Sequence, residues 1–364
     1  MEKYYFKNNI SVNDYVYMFL CGVSLNYNQR SKDKRMVLDN YLRSLNEDNK
    51  PIILENNFLT RYKETSRRVS YSDAGFSNLY QVEMLVNYLS DLNFILLESI
   101  STGAEAGMFL GEPKTQKKTC LLIPDEMAIE EDKLGAFLRY SFENSEVNIM
   151  RFYPQVKHYN LSENVSGWYT YFNNDCIGEN LGNSIERYID ENVKSFLLKF
   201  TTAKTDLAEG KIYYRIVDDC LNIEIRPRTL MICVGAILNC EEYEKEFFSK
   251  DGHTIKDLES IIVTWLKETF INSIAEISGV EAGKCVIRVD ANIEGLSVNR
   301  AIGMVLYLFV AARLIKLEKM DDYIDSQKVL FSRKMLTVNG KNNMNFYKKY
   351  EQCIDKMVER KIKI

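Results

Sequence analysis

Dense apolar runs and stretches of helical spacing take turns along the first half of the chain. Residues 15–21 (YVYMFLC) form an aromatic-rich apolar run that stops at Gly22, with Ser24 close behind. Such a run reads as a central parallel strand followed by a tight turn. Residues 32–45 place Met36, Val37, Tyr41, Leu42 and Leu45 at near-helical spacing, with Ser31 as the N-cap. Residues 51–55 (PIILE) are a second strand ending in a carboxylate. Residues 61–73 are basic and polar, a long loop or lid, and residues 79–89 an amphipathic helix.

A third apolar run, residues 92–97, is broken by Glu98. A polar loop follows at 99–103, and then AEAGMF at 104–109, read as the first turns of a helix. Residues 111–118 read as a solvated loop, 119–126 as a fourth strand ending in Asp125 and Glu126, 133–142 as a helix and 147–153 as a fifth strand. This alternation predicts an α/β fold: a Rossmann-like or flavodoxin-like parallel sheet with helices on both faces and right-handed crossovers. The strands then end near one edge with Cys21 and Gly22, Glu55, Glu98 and Asp125. In open α/β sheets that edge is where ligands bind.

After Pro154 the alternation stops. The reading divides the chain into a catalytic domain at 1–155, a linker at 156–182, and an α+β regulatory or interaction region at 183–364. In that region residues 183–200 fit a helix, with Ile185, Tyr188, Ile189, Val193, Phe196 and Leu197 on one stripe. Residues 212–237 hold two strand-like runs separated by Asp218 and Asp219, a turn rather than a metal site. Residues 255–277 are a long helix. Residues 286–317 are a short strand, a turn at Gly295 and a helix capped by Ser297. A β-wing at 323–338 and a basic C-terminal helix follow, an order compatible with a winged-helix module at about 286–340 and equally with generic α+β.

Composition narrows the chemistry. Net charge is −4, so no global basic field favours nucleic acid, although a local basic patch is compatible with that value. The eight cysteines are scattered without a CxxC, as reduced, buried thiols of a cytoplasmic protein. The N-terminus has no signal-peptide core, and the most apolar helical segment, 301–315, is interrupted by Arg313, so no membrane span is expected. Only His158 and His253 are present, which disfavours a His-based zinc site, and no metal or cofactor is expected. The absence of GxGxxG and of a Walker loop removes the main support for dinucleotide oxidoreductase and P-loop chemistry. Carboxylates, hydroxyls and backbone amides are left to carry a reaction.

Glu105 has two local readings. Thr102 to Glu105 is a TxxE capping box, in which Glu105 bonds back to the N-cap amide. The other makes it a nucleophile or oxocarbenium stabiliser for a sugar ring, kept ionised by the helix dipole. Glu98 is either the second carboxyl of such a pair, as general acid or ribose ligand, or a strand-end acceptor of loop amides. Ser24, Glu55, Ser99, Ser101, Thr102, Gly103 and Asp125 line the expected pocket with Cys21. Gly22 would let the backbone approach a ligand closely. Arg61, Arg67 and Arg68 suit either a phosphate clamp or a solvated loop.

At FLCG (19–22), DLNFILLES (91–99) and AEAGMF (104–109), followed by KTCLLIPD (118–125), the chain resembles the nucleoside deoxyribosyltransferase-like family. The likeness is closest to effector proteins encoded beside bacterial retron reverse transcriptases. One position departs: Ala106 stands where that family usually has Leu. The resemblance implies that Glu105 is the catalytic carboxylate and that Glu98 and Ser99 form the strand-end pair. It also implies hydrolysis of the base–ribose bond of NAD, nucleosides or nucleotides in anti-phage defence, with a reverse transcriptase–msDNA complex as restraining partner. A homo-oligomer or larger assembly is expected. The rival reading is a nucleotide-sensing module that binds without cleaving and relays a defence signal; a DNA-binding regulator is a third.

Overall fold

The structure, a computed structural model, describes residues 2–23, 33–54, 76, 78–124, 148–152, 171–204, 208–247, 253–318, 328–333, 337–338, 341–342 and 345–358. The strands are β1 (Glu2–Phe6), β2 (Ile10–Val12), β3 (Val16–Cys21), β4 (Asn49–Ile52), β5 (Leu92–Leu96), β6 (Thr119–Pro124), β7 (Asn148–Phe152), β8 (Phe196–Thr201), β9 (Lys211–Val217), β10 (Cys220–Ile225), β11 (His253–Thr254), β12 (Lys284–Val289), β13 (Ile315–Glu318), β14 (Lys328–Arg333), β15 (Thr337–Val338), β16 (Lys341–Asn342) and β17 (Ile354–Val358). The helices are α1 (Lys34–Leu45), α2 (Leu79–Leu89), α3 (Ile100–Leu110), α4 (Pro113–Gln116), α5 (Glu179–Asn192), α6 (Pro227–Ile237), α7 (Glu241–Phe247), α8 (Ile255–Ser278), α9 (Val298–Ala311) and α10 (Asn345–Tyr350). The class is α/β, as expected.

Two compact units interleave along the sequence. One holds Tyr15–Glu55 and Ser90–Lys194, the other Met1–Asp14, Asn56–Leu89 and Ser195–Ile364. The linker expected at 156–182 therefore falls inside the first unit.

The first unit is built on a five-stranded, all-parallel sheet in the order β4-β3-β5-β6-β7. Counted along the chain this is 2-1-3-4-5, the flavodoxin-like order. Period-2 alternation sends Met18 and Leu20, Leu92, Phe94 and Leu96, Cys120 and Leu122, and Phe152 into one core cluster. Leu38 and Leu42 of α1 and Leu181, Ile185, Tyr188 and Ile189 of α5 join that cluster. Phe94 meets the Tyr188 ring edge-on at 5.7 Å. On the opposite face Phe19 packs against Phe109 of α3, 5.8 Å between ring centres. Pro51 is tolerated because β4 is an edge strand, where a missing N–H leaves no gap in the ladder.

Several expectations change here. The helix expected over 183–200 runs as α5 over Glu179–Asn192 and stops, so Phe196 and Leu197 lie on β8. Ile185, Tyr188 and Ile189 do form its buried stripe. The loop expected at 111–118 contains the short helix α4, with Thr115 fully buried. The amphipathic helix at 79–89 is real, but Val82 and every residue from Met84 to Leu89 are buried. It belongs to the second unit, where it packs with α6 and α9. The helix expected at 133–142 lies outside the described residues.

The second unit has a mixed five-stranded sheet in the order β12-β10-β9-β8-β2, with helices α6, α8, α9 and α2 packed together. The turn at Asp218 and Asp219 is a two-residue hairpin, with φ of 49° and 58° and Val217 paired to Cys220. Positive φ at both central residues marks the twist-matched turn, and Asp tolerates it. Helix α8 opens on a Thr254/Asp257 capping box and closes on left-handed Gly279. Ser297 caps α9, as expected. The segment read as a winged helix is shared between sheets: β12 joins the five-stranded sheet, while β13 and β14 form an antiparallel sheet with β11. The C-terminal helix shrinks to α10, and β17 pairs antiparallel with β1.

Two buried acids stand out in this unit. Asp14 accepts a 2.6 Å bond from Arg228 of α6, and the Tyr350 hydroxyl of α10 bonds its other oxygen. Arg228 also lies 4.8 Å over the Phe196 ring. Glu259 of α8 is only 6% exposed, and burial pushes its carboxyl up to about 8 against the pull of Lys256 and Arg300. The folded state thus holds a proton that the unfolded chain has lost, from about pH 4.5 to about pH 8. Stability falls as pH rises through that window. Glu259→Gln is expected to flatten the profile and to stabilise the unit at pH 8 by something on the order of 4 kcal/mol. Denaturant melts at both ends of the window, read by Trp265 fluorescence in a Trp168→Phe background, check this; an equal effect at both pH values refutes it.

Candidate functional site

In a 2-1-3-4-5 sheet the chain leaves the first and third strands in opposite directions, which opens a crevice between their carboxyl ends. Here those strands are β3 and β5, paired from Met18 with Leu92 to Cys21 with Ile95. Beyond them lie Gly22, the start of α1, Glu98 and the start of α3.

Each element ends for a local reason. β5 is apolar and buried throughout, and Leu97 still donates to the Leu122 carbonyl at 2.9 Å. The chain then turns, because the Ser99 hydroxyl accepts from the Thr102 amide at 3.2 Å. The Thr102 hydroxyl in turn accepts from the Ser99 amide at 3.0 Å and the Glu98 amide at 3.2 Å, and donates to the Ser99 carbonyl at 2.9 Å. Ser99 is therefore the N-cap, and the capping box is Ser99/Thr102, not Thr102/Glu105. The helix starts at Ile100, four residues earlier than expected.

This shift redefines Glu105. It sits five residues past Ile100, about 7.5 Å along the helix axis. The dipole acts within the first turn, and Glu105 lies beyond it. Position does more. Thr102, Ala106, Phe109 and Leu110 are the buried residues of α3, and Glu105 lies on the margin of their stripe with its Oε2 buried. A carboxylate turned toward the sheet side of a helix is not a solvated surface acid.

The other expected residues divide. Ser101, four residues before Glu105, neighbours it on the helix surface and is exposed. Gly103 is on the outward face with Ala104, Gly107 and the 95% exposed Ile100. The hydroxyls of Ser99 and Thr102 are occupied in the cap, and Thr102 is 1% exposed, so neither is a free ligand for phosphate or ribose. Cys21 is a buried strand residue, 4% exposed. A methyl group at Gly22 would meet Arg35 Cδ at 2.8 Å. That glycine makes room for Arg35. Ser24, Glu55, Asp125, Arg61, Arg67, Arg68 and His158 lie outside the described residues.

The structure also adds residues. Lys34, the first residue of α1, is ion-paired with Glu98 across the crevice, and its ammonium lies 5.1 Å from the Phe152 ring centre. Next to it, Arg35 pairs at 2.8 Å with Asp33, the N-cap of α1. Glu98 thus has a cation in contact, and an ion-paired carboxylate can still accept hydrogen bonds from sugar hydroxyls. In the sequence, Lys34 and Arg35 look like ordinary charged positions of an amphipathic helix. The available signal was their place, directly after the loop that leaves the first strand.

The described residues hold no cluster of His, Cys, Asp or Glu suited to a metal ion. All eight cysteines are free, and Cys176 is exposed, unlike the buried majority. No helix among the described residues is long and apolar enough to cross a membrane. A cavity of about 730 Å³ lies between α1 and Asn174–Ile177, away from the crevice, with Asn40, Ser44 and Asn174 among its walls. None of the expected site residues lines it.

The family described as STM3845 retron effector protein matches residues 31–218. That span covers α1, Glu98, α3 and the strands from β4 to β9, and begins after β3 and Gly22. No curated protein matches the chain.

Proposed function

The chain belongs to the STM3845 retron effector protein family, which places it in retron-associated defence, and on that premise we propose that it is a nucleoside deoxyribosyltransferase-like N-glycosidase. Its substrate in this reading is NAD, a nucleoside or a nucleotide, and its reaction is hydrolysis of the base–ribose bond. The observation that carries the reading is Glu105, a carboxylate at the margin of a buried helix face, on the helix that follows the third strand of a 2-1-3-4-5 sheet.

The chemistry needs little else. The Glu105 carboxylate attacks C1′ of the sugar, and the electron pair of the C–N bond leaves with the base. Water then attacks C1′ of the glycosyl ester, frees the carboxylate and yields the sugar hemiacetal, its second proton going to the departed base, or to solvent where the base leaves neutral as nicotinamide. Glu98, paired with Lys34, positions the ribose hydroxyls. A retron reverse transcriptase–msDNA complex is the proposed restraint, since unrestrained loss of NAD or nucleotides would harm the host.

The direct test is to incubate the full chain with NAD, nucleosides and nucleotides, and to separate free base by chromatography. Ligand recovered intact after prolonged incubation sinks the hydrolase reading and leaves a binding module. Glu98→Gln is expected to raise KM about tenfold and to change kcat less, as for a group that binds ground and transition states alike. An unchanged KM removes Glu98 from the site.

A further inference from the structure

The five-stranded sheet of the second unit has one covered face and one open face. Along β10 the residues alternate: Leu221, Ile223 and Ile225 are buried, while Cys220, Asn222 and Glu224 are partly exposed. In β12, Cys285 and Ile287 are buried, and Lys284, Val286 and Arg288 are exposed. In β8, Leu198 and Phe200 are buried, and Leu197 and Lys199 are exposed.

Register places the outward residues side by side. Lys199 of β8 is opposite Lys211 of β9, and Thr201 is opposite Tyr213. Tyr213 is opposite Glu224 of β10, and Arg215 is opposite Asn222. Glu224 is opposite Arg288 of β12, and Cys220 is opposite Lys284. Lys204, just past β8, reaches over the face to pair with Glu224 at 2.9 Å, with its ammonium 6.0 Å from the Tyr213 ring.

Charge on the strands of this face is one-sided, with exposed Asp218 and Asp219 at its β9–β10 rim and Lys204 beside β8. Lys199, Lys204, Lys211, Arg215, Lys284 and Arg288 stand against Glu224 alone among its outward residues. The whole chain, by contrast, carries a net charge of −4. Segregation of cations in an acidic chain is an electrostatic footprint for a polyanion. Between the cations lie Tyr213 and the exposed Leu197, Val217 and Val286, each apolar chain more than 40% accessible. Strands about 4.8 Å apart make a flat platform, which suits unstacked bases lying on a sheet with phosphates along its cations.

We propose that this open face of the β12-β10-β9-β8-β2 sheet is a binding platform for single-stranded nucleic acid. It contacts phosphates through Lys199, Lys211, Arg215, Lys284 and Arg288, and a base through the Tyr213 ring. This platform is independent of the glycosidase reading: it lies on the other unit and involves none of the residues given a role in cleavage.

The test uses the full chain and fluorescent twenty-nucleotide single strands of DNA and RNA, with binding read by anisotropy across a salt series. The variant carries K199E, R215E, K284E and R288E together, all at exposed positions where substitution disturbs folding little. Retained Trp265 fluorescence and an unchanged melting midpoint establish that it is folded. The expected result is at least tenfold weaker binding, with the slope of log K against log salt shallower by about 3. Tyr213→Ala is expected to weaken binding severalfold with the salt slope kept. Parent-like binding by the folded quadruple variant overturns the proposal. So does a parent that binds polyglutamate as tightly as single strands, or that prefers duplex.

Discussion

Glu105→Gln is expected to reduce base release roughly a thousandfold or more while leaving the fold intact. The substitution keeps the size of the side chain, its hydrogen-bonding reach and its helix propensity. What it removes is the anionic oxygen that would attack or stabilise C1′. Glu105 is in mid-helix and takes no part in the cap, which belongs to Ser99 and Thr102. Loss of the charge should therefore not unravel the start of α3. The measurement is free base released per hour by parent and variant at matched melting midpoint. Parent-like release would falsify the assignment of Glu105. Release that falls only because the midpoint collapses is resolved by Glu105→Asp, which keeps the charge and retracts it by one methylene.

The second large effect concerns stability. Asp14→Ala is expected to destabilise the second unit by about 3–5 kcal/mol. Arg228 is 2% exposed, among the most completely buried large side chains of the chain, and Asp14 is 7% exposed. Removing the carboxylate leaves a guanidinium away from water with only the Phe196 ring and its remaining bonds around it. Tyr350→Phe should be milder, about 1–2 kcal/mol, because it deletes one neutral partner of the same carboxylate. Denaturant titration followed by tryptophan fluorescence in a Trp168→Phe background, which leaves Trp265 as the reporter of this unit, reads both. Replacing Asp14 and Arg228 together by apolar residues should recover much of the loss, since no buried charge then remains unpaired. A double variant worse than Asp14→Ala would show that the pair acts through something other than charge compensation.

The parallel-sheet unit was readable because its signals are local. Apolar runs of five or six residues, each followed by a turn signal, marked β3, β5, β6 and β7 to within a residue or two. The hairpin at Asp218 and Asp219 and the cap at Ser297 were equally local. Misreadings came where two local signals competed. Thr102 followed by Glu105 and Ser99 followed by Thr102 are both capping patterns, and the second won because β5 delivers the chain to Ser99 already extended. Phe196 and Leu197 continued the helical stripe of α5 in sequence, yet residues 196–201 were drawn into a strand by pairing with β2 and β9.

Long-range pairing accounts for the rest. Nothing near Glu2–Phe6 announces that it pairs with Ile354–Val358, more than three hundred residues away. Nothing near Asp14 announces Arg228 or Tyr350. At the candidate site, the chain on its own identified Glu98 and Glu105 as the carboxylates to watch and put them beyond the third strand. Only the packed structure showed that Glu105 is a core-margin residue of mid-helix and that Glu98 is held by Lys34. The same holds for the open sheet face, whose cations come from three strands spread from Lys199 to Arg288. Periodicity and caps act over a few residues and are written in the chain. Ion pairs and shared faces depend on which strands become neighbours, and the burial of the whole core decides that.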